Sequence, residues 1–296
     1  MQGKRGFAFY ALAAFFTLYV LFLYGPMIAI YVLSFQGPEG GLTFPMNGAS
    51  FYWFTKLFEG GGIVDIGAAF RRSLELGIVV MILTVVISVS AGLAFRRKFK
   101  GSGVLFYVAI ASLIVPSIIT SLGIGLEFRI VDDTVKNFGP DWLAEDHTTW
   151  MGLFTSGLGA HLTWTLPFGL LIMFAIFNRF NAAFEEAARD LGATPWQTFR
   201  YVVLPIILPS VVGIGLFGFT LSWDEIARSS QAIGEVNTLP LELEGLTTTV
   251  TKPDIYALGT VTSAVSFGVI FLCIFGIRLL QKRTARAGSD AGSGMV

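Results

Sequence analysis

Six stretches of this chain are apolar over a length near or above the ~20 residues that a helix needs to cross a membrane. They run from Phe7 to Ser34, Ser73 to Phe95, Val104 to Leu126, Thr149 to Phe177, Val203 to Trp223 and Tyr256 to Leu280. Because lipid offers no partners for backbone N–H and C=O groups, such stretches must satisfy those groups internally, as helices do. The sequence therefore predicts an all-α membrane protein with six transmembrane helices.

The composition of the chain excludes an ordinary soluble protein. Hydrophobic residues make up 54% of the sequence and charged residues only 14%, whereas about a quarter of the residues in soluble domains are charged. The first apolar stretch follows Lys4 and Arg5, as a signal peptide does, but it continues past the ~7 to 15 apolar residues of a signal peptide and lacks a clear cleavage site. We expect it to be retained as the first crossing.

The lysines and arginines predict the orientation. With both termini on the same side, 13 of the 20 basic residues fall on one face, which the positive-inside rule makes cytoplasmic. These are Lys4, Arg5, Arg96, Arg97, Lys98, Lys100, Arg179, Arg189, Arg200, Arg278, Lys282, Arg283 and Arg286; the other face holds Lys56, Arg71, Arg72, Arg129, Lys136, Arg228 and Lys252. Both termini and the polar connection 181–203 are thus predicted to be cytoplasmic.

The connection 181–203 has the pattern of two short helices with a stop between them. Asn181 can cap a helix start, and Glu185 and Glu186 then lie in the first turns, where the positive end of the helix dipole favours carboxylates. Gly192 supplies a left-handed stop. Thr194–Gln197 is a capping box with proline at the first helical position. We expect a second helix from there toward Leu204, and hence a stiff connection.

The same residues carry a known motif. Glu186-Ala187-Ala188, three residues, Gly192, nine residues, Val202, one residue and Leu204-Pro205 resembles the EAA loop of permease subunits of binding-protein-dependent ATP-binding-cassette importers. The motif of that family is EAA-x3-G-x9-I-x-LP, and this chain departs from it only at Val202, where the motif has isoleucine. The alternative is an ordinary amphipathic loop helix that lies on the bilayer surface.

This resemblance implies a type I ABC importer permease fold in which the loop is the coupling helix that docks into a cytoplasmic ATPase. Glu186 would anchor the loop, Ala187 and Ala188 would let it seat closely, Gly192 would set the turn, and Leu204-Pro205 completes the motif. The implied partners are a second permease subunit, a dimer of ATPase subunits and an extracytoplasmic solute-binding protein. The implied location is the bacterial cytoplasmic (inner) membrane, where the chain is multi-pass and surrounded by lipids, with no nucleic acid as partner.

No catalytic pattern is present in the sequence. His147 and His161 do not form an H-E-x-x-H arrangement, and there is no G-x-S-x-G elbow and no G-x4-G-K-[ST] phosphate loop. The single cysteine, Cys273, allows no disulfide within the chain and no cysteine metal site. We therefore expect no enzyme, no cofactor and no metal, with ATP hydrolysis in partner subunits.

Two acidic residues at the outer end of the fifth stretch are the best candidates for a solute path. Ionisable groups at or near bilayer depth are expensive, and Asp224 and Glu225 beside Trp223 would suit a cation, since the indole offers a π face to an ammonium group. As helix neighbours they point about 100° apart, so at most one faces the path. The alternative is a solvated interfacial pair beside a belt tryptophan.

Four further positions bear on the path. Glu75 either belongs to it or forms an i,i+4 ion pair with Arg71. His161, on one helix face with Trp164, is expected to be a packed polar contact. Pro116 and Pro167 are expected to bend helices that border the path, because the carbonyls freed by proline need other partners.

A second resemblance covers most of the chain. The connection 96–101, the stretch Ser222 to Ile226 and the segment Asn237 to Leu241 look like the second permease subunit of spermidine/putrescine importers. That family places an acidic position of the polyamine path just after the fifth crossing, which matches Asp224 or Glu225. Because relatives in the family carry other solutes, an amino-acid derivative, an opine, a metal or an anion remain alternatives.

The expected organisation is one transmembrane permease domain, residues 1–284, followed by a disordered cytoplasmic tail, Ala285 to Val296, that is rich in Gly, Ser and Ala. Two rival functions stay open. A membrane enzyme would need a paired catalytic set at bilayer depth, and an ATP-independent secondary transporter would work on an ion gradient without ATPase partners.

Overall fold

The computed structural model describes residues 6–41, 43–59, 65–97, 99–249 and 253–292, and these form helices joined by turns. The helices are α1 (Phe7–Leu33), α2 (Tyr52–Phe58), α3 (Ile66–Phe95), α4 (Ser102–Ala111), α5 (Ser117–Phe138), α6 (Asp141–Ala144), α7 (Leu158–Phe177), α8 (Ala183–Asp190), α9 (Pro195–Thr198), α10 (Leu204–Trp223), α11 (Leu239–Thr249) and α12 (Pro253–Gly292). One π turn, Leu153–Gly157, leads into α7, and another, Phe199–Val203, leads into α10. Of the basic residues used for orientation, Lys4, Arg5, Lys98 and Lys252 lie outside the described residues.

Within those described ranges, five helical segments are long and apolar enough to cross a membrane. They are Phe7–Leu33, Ile66–Phe95, Leu153–Phe177, Pro195–Trp223 and Pro253–Gly276. The predicted all-helical fold is confirmed. The sixth crossing and the cytoplasmic position of both termini stay predictions.

The predicted third crossing, Val104 to Leu126, is not one helix. Helix α4 ends at Ala111 and α5 begins at Ser117, with Pro116 as the residue that precedes it. Proline has no N–H to donate and disfavours helical geometry in the residue before it, which explains the break. Helix α5 then continues past Leu126 to Phe138, into a segment that the hydropathy pattern assigned to a loop.

The end of the chain also differs from expectation. Helix α12 runs to Gly292, although a disordered tail was predicted from Ala285. Extending an existing helix gains one backbone hydrogen bond per residue and requires no new nucleation. Ala, Arg and Lys are also good helix formers. The helix therefore continues beyond the apolar stretch. Residues 293–296 lie outside the described part of the tail.

The chain divides into two compact units. The smaller comprises Met1–Gly67 and Leu243–Ser266. In its loop between α1 and α2, the buried amide of Gln36 donates to the carbonyl of Gly41 over 2.7 Å and accepts from the N–H of Asn47 over 2.8 Å. One buried side chain thereby organises a glycine-rich loop whose backbone groups would otherwise lack partners.

The larger unit, Ala68–Glu242 and Phe267–Val296, carries both candidate sites. Its core joins α3, α7 and the start of α10 through the buried residues Val89, Met173, Phe177, Val203, Ile207 and Ile214. In a membrane such a core is stabilised by close packing more than by exclusion of water. Gly169 shows how close the packing is, because a Cβ added there would lie 2.1 Å from Oγ of Ser88 on α3.

Candidate functional site

The connection 181–203 folds as the sequence predicts, as two short helices with a stop between them. Oδ1 of Asn181 accepts the N–H of Ala183 over 3.0 Å, and α8 follows with two carboxylates in its first turn. Gly192 ends the helix with φ +81°, a left-handed conformation that costs other residues about 1 kcal/mol or more. The glycine is therefore the residue that sets the turn.

The second half of the connection is capped and then anchored in the core. Thr194 Oγ1 accepts the N–H of Gln197, and the Gln197 side chain accepts the N–H of Thr194, which is the predicted capping box. After α9, Val203 is buried at 1% exposure, and Leu204 packs against the core of the larger unit. Pro205 lies at the start of α10, where a missing N–H is harmless. The exit of the loop is thus fixed to the bundle.

An ion pair that the sequence did not suggest holds the first half of the connection. The two terminal guanidinium nitrogens of Arg96, the residue directly after α3, donate to the two carboxylate oxygens of Glu185 over 2.7 and 2.8 Å. The side chains are only 21% and 13% exposed, and the guanidinium lies 5.0 Å from the ring centroids of Phe177 and Phe180. A bidentate ion pair that is shielded from water is stronger than a single exposed hydrogen bond between the same groups. Helix α8 is therefore tied directly to α3.

We expect the Arg96–Glu185 pair to contribute about 2 kcal/mol to the free energy of unfolding. A double-mutant cycle with Arg96→Ala and Glu185→Ala, read by thermal unfolding of the purified protein, measures it. The exposed pair Arg71–Glu75, 2.7 Å apart with side chains 79% and 44% exposed, is the matched control and should couple far more weakly, because water screens it. Equal coupling in the two pairs would contradict the expectation.

The pH dependence of the same pair has a definite sign. The hydrogen bonds from Arg96 lower the pKa of the Glu185 carboxyl, with burial acting in the opposite direction and the charge of Arg96 adding to the effect. A carboxyl whose pKa is lower in the folded state stabilises the protein above its unfolded pKa, and this contribution is lost as the pH falls through the folded value. In Glu185→Gln, the free energy of unfolding should therefore fall less steeply as the pH is lowered than in the unchanged protein.

The other face of the connection points away from the bundle. Glu186 and Ala187 are exposed and Ala188 is half-buried. Large apolar side chains of the connection are exposed as well, namely Phe184 at 53%, Leu191 at 90% and Trp196 at 64%. Exposed apolar residues within a charged loop mark a surface that another molecule covers. The loop therefore separates residues that fix it, Glu185 and Leu204 among them, from residues that it presents.

Three of the four residues predicted for the solute path lie at the end of α10, in different surroundings. Asp224 is exposed and Glu225 half-buried. Trp223 is 2% exposed, with Phe219 stacked on it at 5.6 Å and Phe70 edge-on at 5.5 Å. Of the three side chains, Asp224 is the most exposed. Partial desolvation raises the pKa of the Asp224 carboxyl and is also the largest cause of the raised pKa of Glu225.

Glu75 lies elsewhere on the surface of α3. Its Oε1 accepts from Nε of Arg71 over 2.7 Å, one helical turn away. This is the i,i+4 ion pair that was the alternative to a path residue. A role of Glu75 in the path stays a prediction.

The segment after Glu225 is held by a buried arginine. Arg228 is 0% exposed, its guanidinium stacks 5.0 Å from the ring centroid of Trp164, and it donates to Oγ1 of Thr163. Its other N–H groups donate to the carbonyl of Ser112 over 3.0 Å and to Oγ of Ser117 over 3.3 Å. These two acceptors lie on either side of the break between α4 and α5. The arginine therefore supplies a donor to a carbonyl freed by the break.

Hydroxyl groups hold the same segment from α5 and from the π turn before α7. Oγ of Ser121 donates to the carbonyl of Arg228 over 2.8 Å and accepts the N–H of Gln231 over 3.0 Å. Oγ of Ser156 donates to the carbonyl of Ala232 over 2.5 Å. The segment is thus fixed through its own backbone, and it begins directly after the two acidic residues.

His161 is a packed polar contact, as predicted. It is 1% exposed, with Nδ1 2.8 Å from Oγ of Ser222 and Nε2 2.9 Å from Oγ of Ser229. Because the Ser229 hydroxyl already donates to the carbonyl of Glu225, Nε2 is the donor and Nδ1 accepts from Ser222. The imidazole thereby links Ser222, near the end of α10, to Ser229 in the segment that contains Arg228.

Two of these residues escaped sequence reasoning for the same reason. Arg96 and Arg228 entered only as charges that counted toward orientation. The available signal for Arg96 was its position at the end of an apolar stretch, opposite a connection rich in carboxylates. For Arg228 it was the neighbouring Ser229 and Ser230, small polar residues that suit a packed segment more than a solvated loop. Among the described residues, no three histidine, cysteine, aspartate or glutamate side chains lie close enough to hold a metal ion.

Comparisons with known proteins agree on one family. The family described as binding-protein-dependent transport system inner membrane component matches residues 84–286. The spermidine/putrescine transport system permease protein PotC of Haemophilus influenzae is 29% identical over 269 residues, which covers 89% of this chain and 95% of that protein. The putrescine transport system permease protein PotI of Escherichia coli is 28% identical over 242 residues, covering 81% of this chain and 80% of that protein.

Solved structures agree on the fold. A bacterial ABC transporter that imports the acidic polysaccharide alginate has a chain that superposes with a TM-score of 0.63, with 16% identity, over 94% of this chain and 96% of its own. A second structure of an alginate ABC transporter, in complex with its pentasaccharide-bound periplasmic protein, gives a TM-score of 0.62 over 90% and 92% of the two chains. At this identity the likeness shows the fold alone.

Proposed function

Because this chain belongs to the binding-protein-dependent transport system inner membrane components, we propose that it forms half of the solute path of an ATP-driven importer. It is a multi-pass protein of the cytoplasmic membrane, and it works with a second permease subunit, a pair of cytoplasmic ATPases and an extracytoplasmic binding protein. The observation that carries the proposal is the connection 181–203, which is fixed to the bundle on one side and presents exposed apolar and acidic residues on the other.

The exposed side of this connection is the docking surface for an ATPase subunit. Glu186 supplies the charge of the contact, Ala187 leaves room for close approach, and Phe184 and Leu191 supply apolar surface to bury. The ion pair from Arg96 to Glu185 and the core contact of Leu204 pass movement of the loop to α3 and α10. Closure of the ATPases on nucleotide then draws the coupling helices together and opens the solute path outward, and hydrolysis resets it.

The solute is a small cation of the polyamine class. PotC of H. influenzae and PotI of E. coli carry spermidine or putrescine in their names, and Asp224 is one of the two residues, with Glu225, that match the acidic position that the polyamine family places after the fifth crossing. Its exposed carboxylate, next to the half-buried Glu225, attracts ammonium groups at the mouth of the path. An importer for another small solute is the alternative.

ATPase activity of the reconstituted importer with its binding protein tests the solute class. Putrescine or spermidine should stimulate hydrolysis, and Asp224→Asn should lower uptake about tenfold, equivalent to one lost charge contact of about 1.4 kcal/mol. Asp133→Asn, the same change on an exposed residue of α5, is the control and should leave uptake unchanged. Stimulation by a sugar or an anion, and by no diamine or triamine, would overturn the polyamine assignment.

The pH dependence of uptake adds a second readout. A carboxyl with a raised pKa takes up a proton at higher pH than an ordinary aspartate, and a protonated carboxyl no longer attracts a cation. Uptake should therefore decline on acidification earlier than the ordinary aspartate range near 3.9 predicts. An uptake profile that is flat down to that range would contradict a role for Asp224.

Co-purification separates this proposal from a secondary transporter. The tagged chain should bring down ATPase subunits from the membranes of its host, and the purified chain alone should show no transport driven by an ion gradient. Gradient-driven transport by the chain alone would favour the rival.

A further inference from the structure

A cavity of about 520 Å³ opens between α3, α4 and α7, at the end of these helices that carries the connection 181–203. Its volume is in the range of ligand sites. The wall is aromatic, formed largely by Phe95, Phe106 and Phe174, whose ring centroids lie 4.5 to 6.2 Å apart. None of the residues at this wall belongs to the solute path.

The cavity is open on the side of α4, a helix with no buried residue. Tyr107, which lines the cavity, is 74% exposed, and its neighbours Val104 and Leu105 are 69% and 56% exposed. Apolar side chains exposed on a helix of a membrane protein face hydrocarbon. An occupant therefore enters from the bilayer and must itself be apolar over most of its length.

Basic residues lie at the cavity and close to its lining in the sequence. Arg96 lines it. Arg97 and Arg179 each directly follow a lining residue, Lys100 comes two residues before the lining residue Ser102, and all three are exposed. None of these last three makes an ion pair within the described ranges of the chain, while Arg96 is already neutralised by Glu185. Up to three cationic groups are thus available to a negatively charged headgroup.

We propose that this cavity is a binding site for one anionic phospholipid of the cytoplasmic leaflet. The acyl region lies against the aromatic wall, and the phosphate lies among these basic residues, whose charge attracts anionic headgroups at the membrane surface. The leaflet rests on the orientation proposed above. Because Arg96 both lines the cavity and holds Glu185, the lipid contacts the residue that ties α8 to the bundle.

Filling the cavity tests the site. A Cβ at Gly103, a lining residue, meets no atom within 4 Å, so Gly103→Leu occupies the space without a clash of the backbone. Gly123→Leu is the matched control, since Gly123 on α5 is also exposed and open but lies outside the cavity. The purified importer complex is delipidated, mixed with equal amounts of phosphatidylglycerol and phosphatidylcholine, and its retained lipids are counted by native mass spectrometry.

We expect the unchanged complex and Gly123→Leu to retain one more phosphatidylglycerol than Gly103→Leu. Lys100→Gln should weaken retention about fivefold, the equivalent of 1 kcal/mol. Equal retention of the two lipids, or retention unaffected by Gly103→Leu, would overturn the proposal. Loss of the second permease subunit from Gly103→Leu would also overturn it and make the cavity a protein interface. Lipid retention does not depend on transport, so this result is independent of the solute and of the ATPase contact.

Discussion

Replacing Glu186 by lysine is expected to abolish uptake while the protein still inserts in the membrane and folds. The side chain is exposed in the isolated chain, so its reversal disturbs no internal contact. In the assembled importer it would put a cation where the ATPase surface accepts a carboxylate, and breaking a buried charge contact at an interface costs about 2 to 5 kcal/mol. Uptake should fall by about 100-fold or more.

Uptake of labelled putrescine in cells, normalised to the amount of protein in the membrane, measures this effect. Glu186→Gln should have a smaller effect, because it keeps the shape and a hydrogen-bond acceptor. Glu145→Lys, the same reversal on an exposed carboxylate of a distant segment, should leave uptake near normal. A Glu186→Lys protein that is correctly inserted and takes up putrescine normally would refute the coupling assignment.

Replacing Arg228 by lysine should destabilise the protein more than replacing it by methionine. Lysine keeps the cost of a buried charge but cannot reach all of the acceptors that the guanidinium serves, Ser112, Ser117 and Thr163. Two lost hydrogen bonds from a charged donor amount to about 3 kcal/mol or more. Methionine also leaves these acceptors without a donor, but it removes the desolvation cost of the charge, so part of the loss is recovered.

Thermal unfolding of the three purified proteins measures the order of stability. Arg129→Lys, on the exposed outer part of α5, is the control and should change stability by less than about 0.5 kcal/mol. If Arg228→Lys were as stable as the unchanged protein, the expectation would be wrong. The positive charge alone would then hold the segment after Glu225, and the several N–H donors of the guanidinium would not be needed.

Hydropathy predicted the fold well wherever one apolar stretch coincides with one helix. It identified α1 and α10 with nearly the observed bounds. It failed at Val104 to Leu126, because summed hydropathy is insensitive to Pro116 and to the partner that the freed carbonyl needs. That partner, Arg228, is over a hundred residues away in the sequence, and no local pattern contains it.

In the candidate sites, too, features set by neighbouring residues were predictable and contacts between distant residues were not. Gly192 and the capping box at Thr194 are local features, governed by a few consecutive residues, and the sequence placed both correctly. Which carboxylate of α8 faces the bundle depends on a residue of another helix, so the sequence could not separate Glu185, which Arg96 holds, from Glu186, which is exposed. The same limit applied to Trp223, whose neighbours Phe70 and Phe219 cover it in the folded chain.

The separation of inner and outer residues in the connection 181–203 has a consequence for how such importers diversify. Phe184, Glu186 and Leu191 are exposed, so under the proposed docking, substitutions there would change which ATPase subunit is recognised and would leave the solute path unaltered. Residues such as Glu185 and Leu204 have no such freedom. The proposal therefore predicts that a few substitutions of exposed residues in this one short segment would let a related importer pair with a different ATPase while it keeps the same solute.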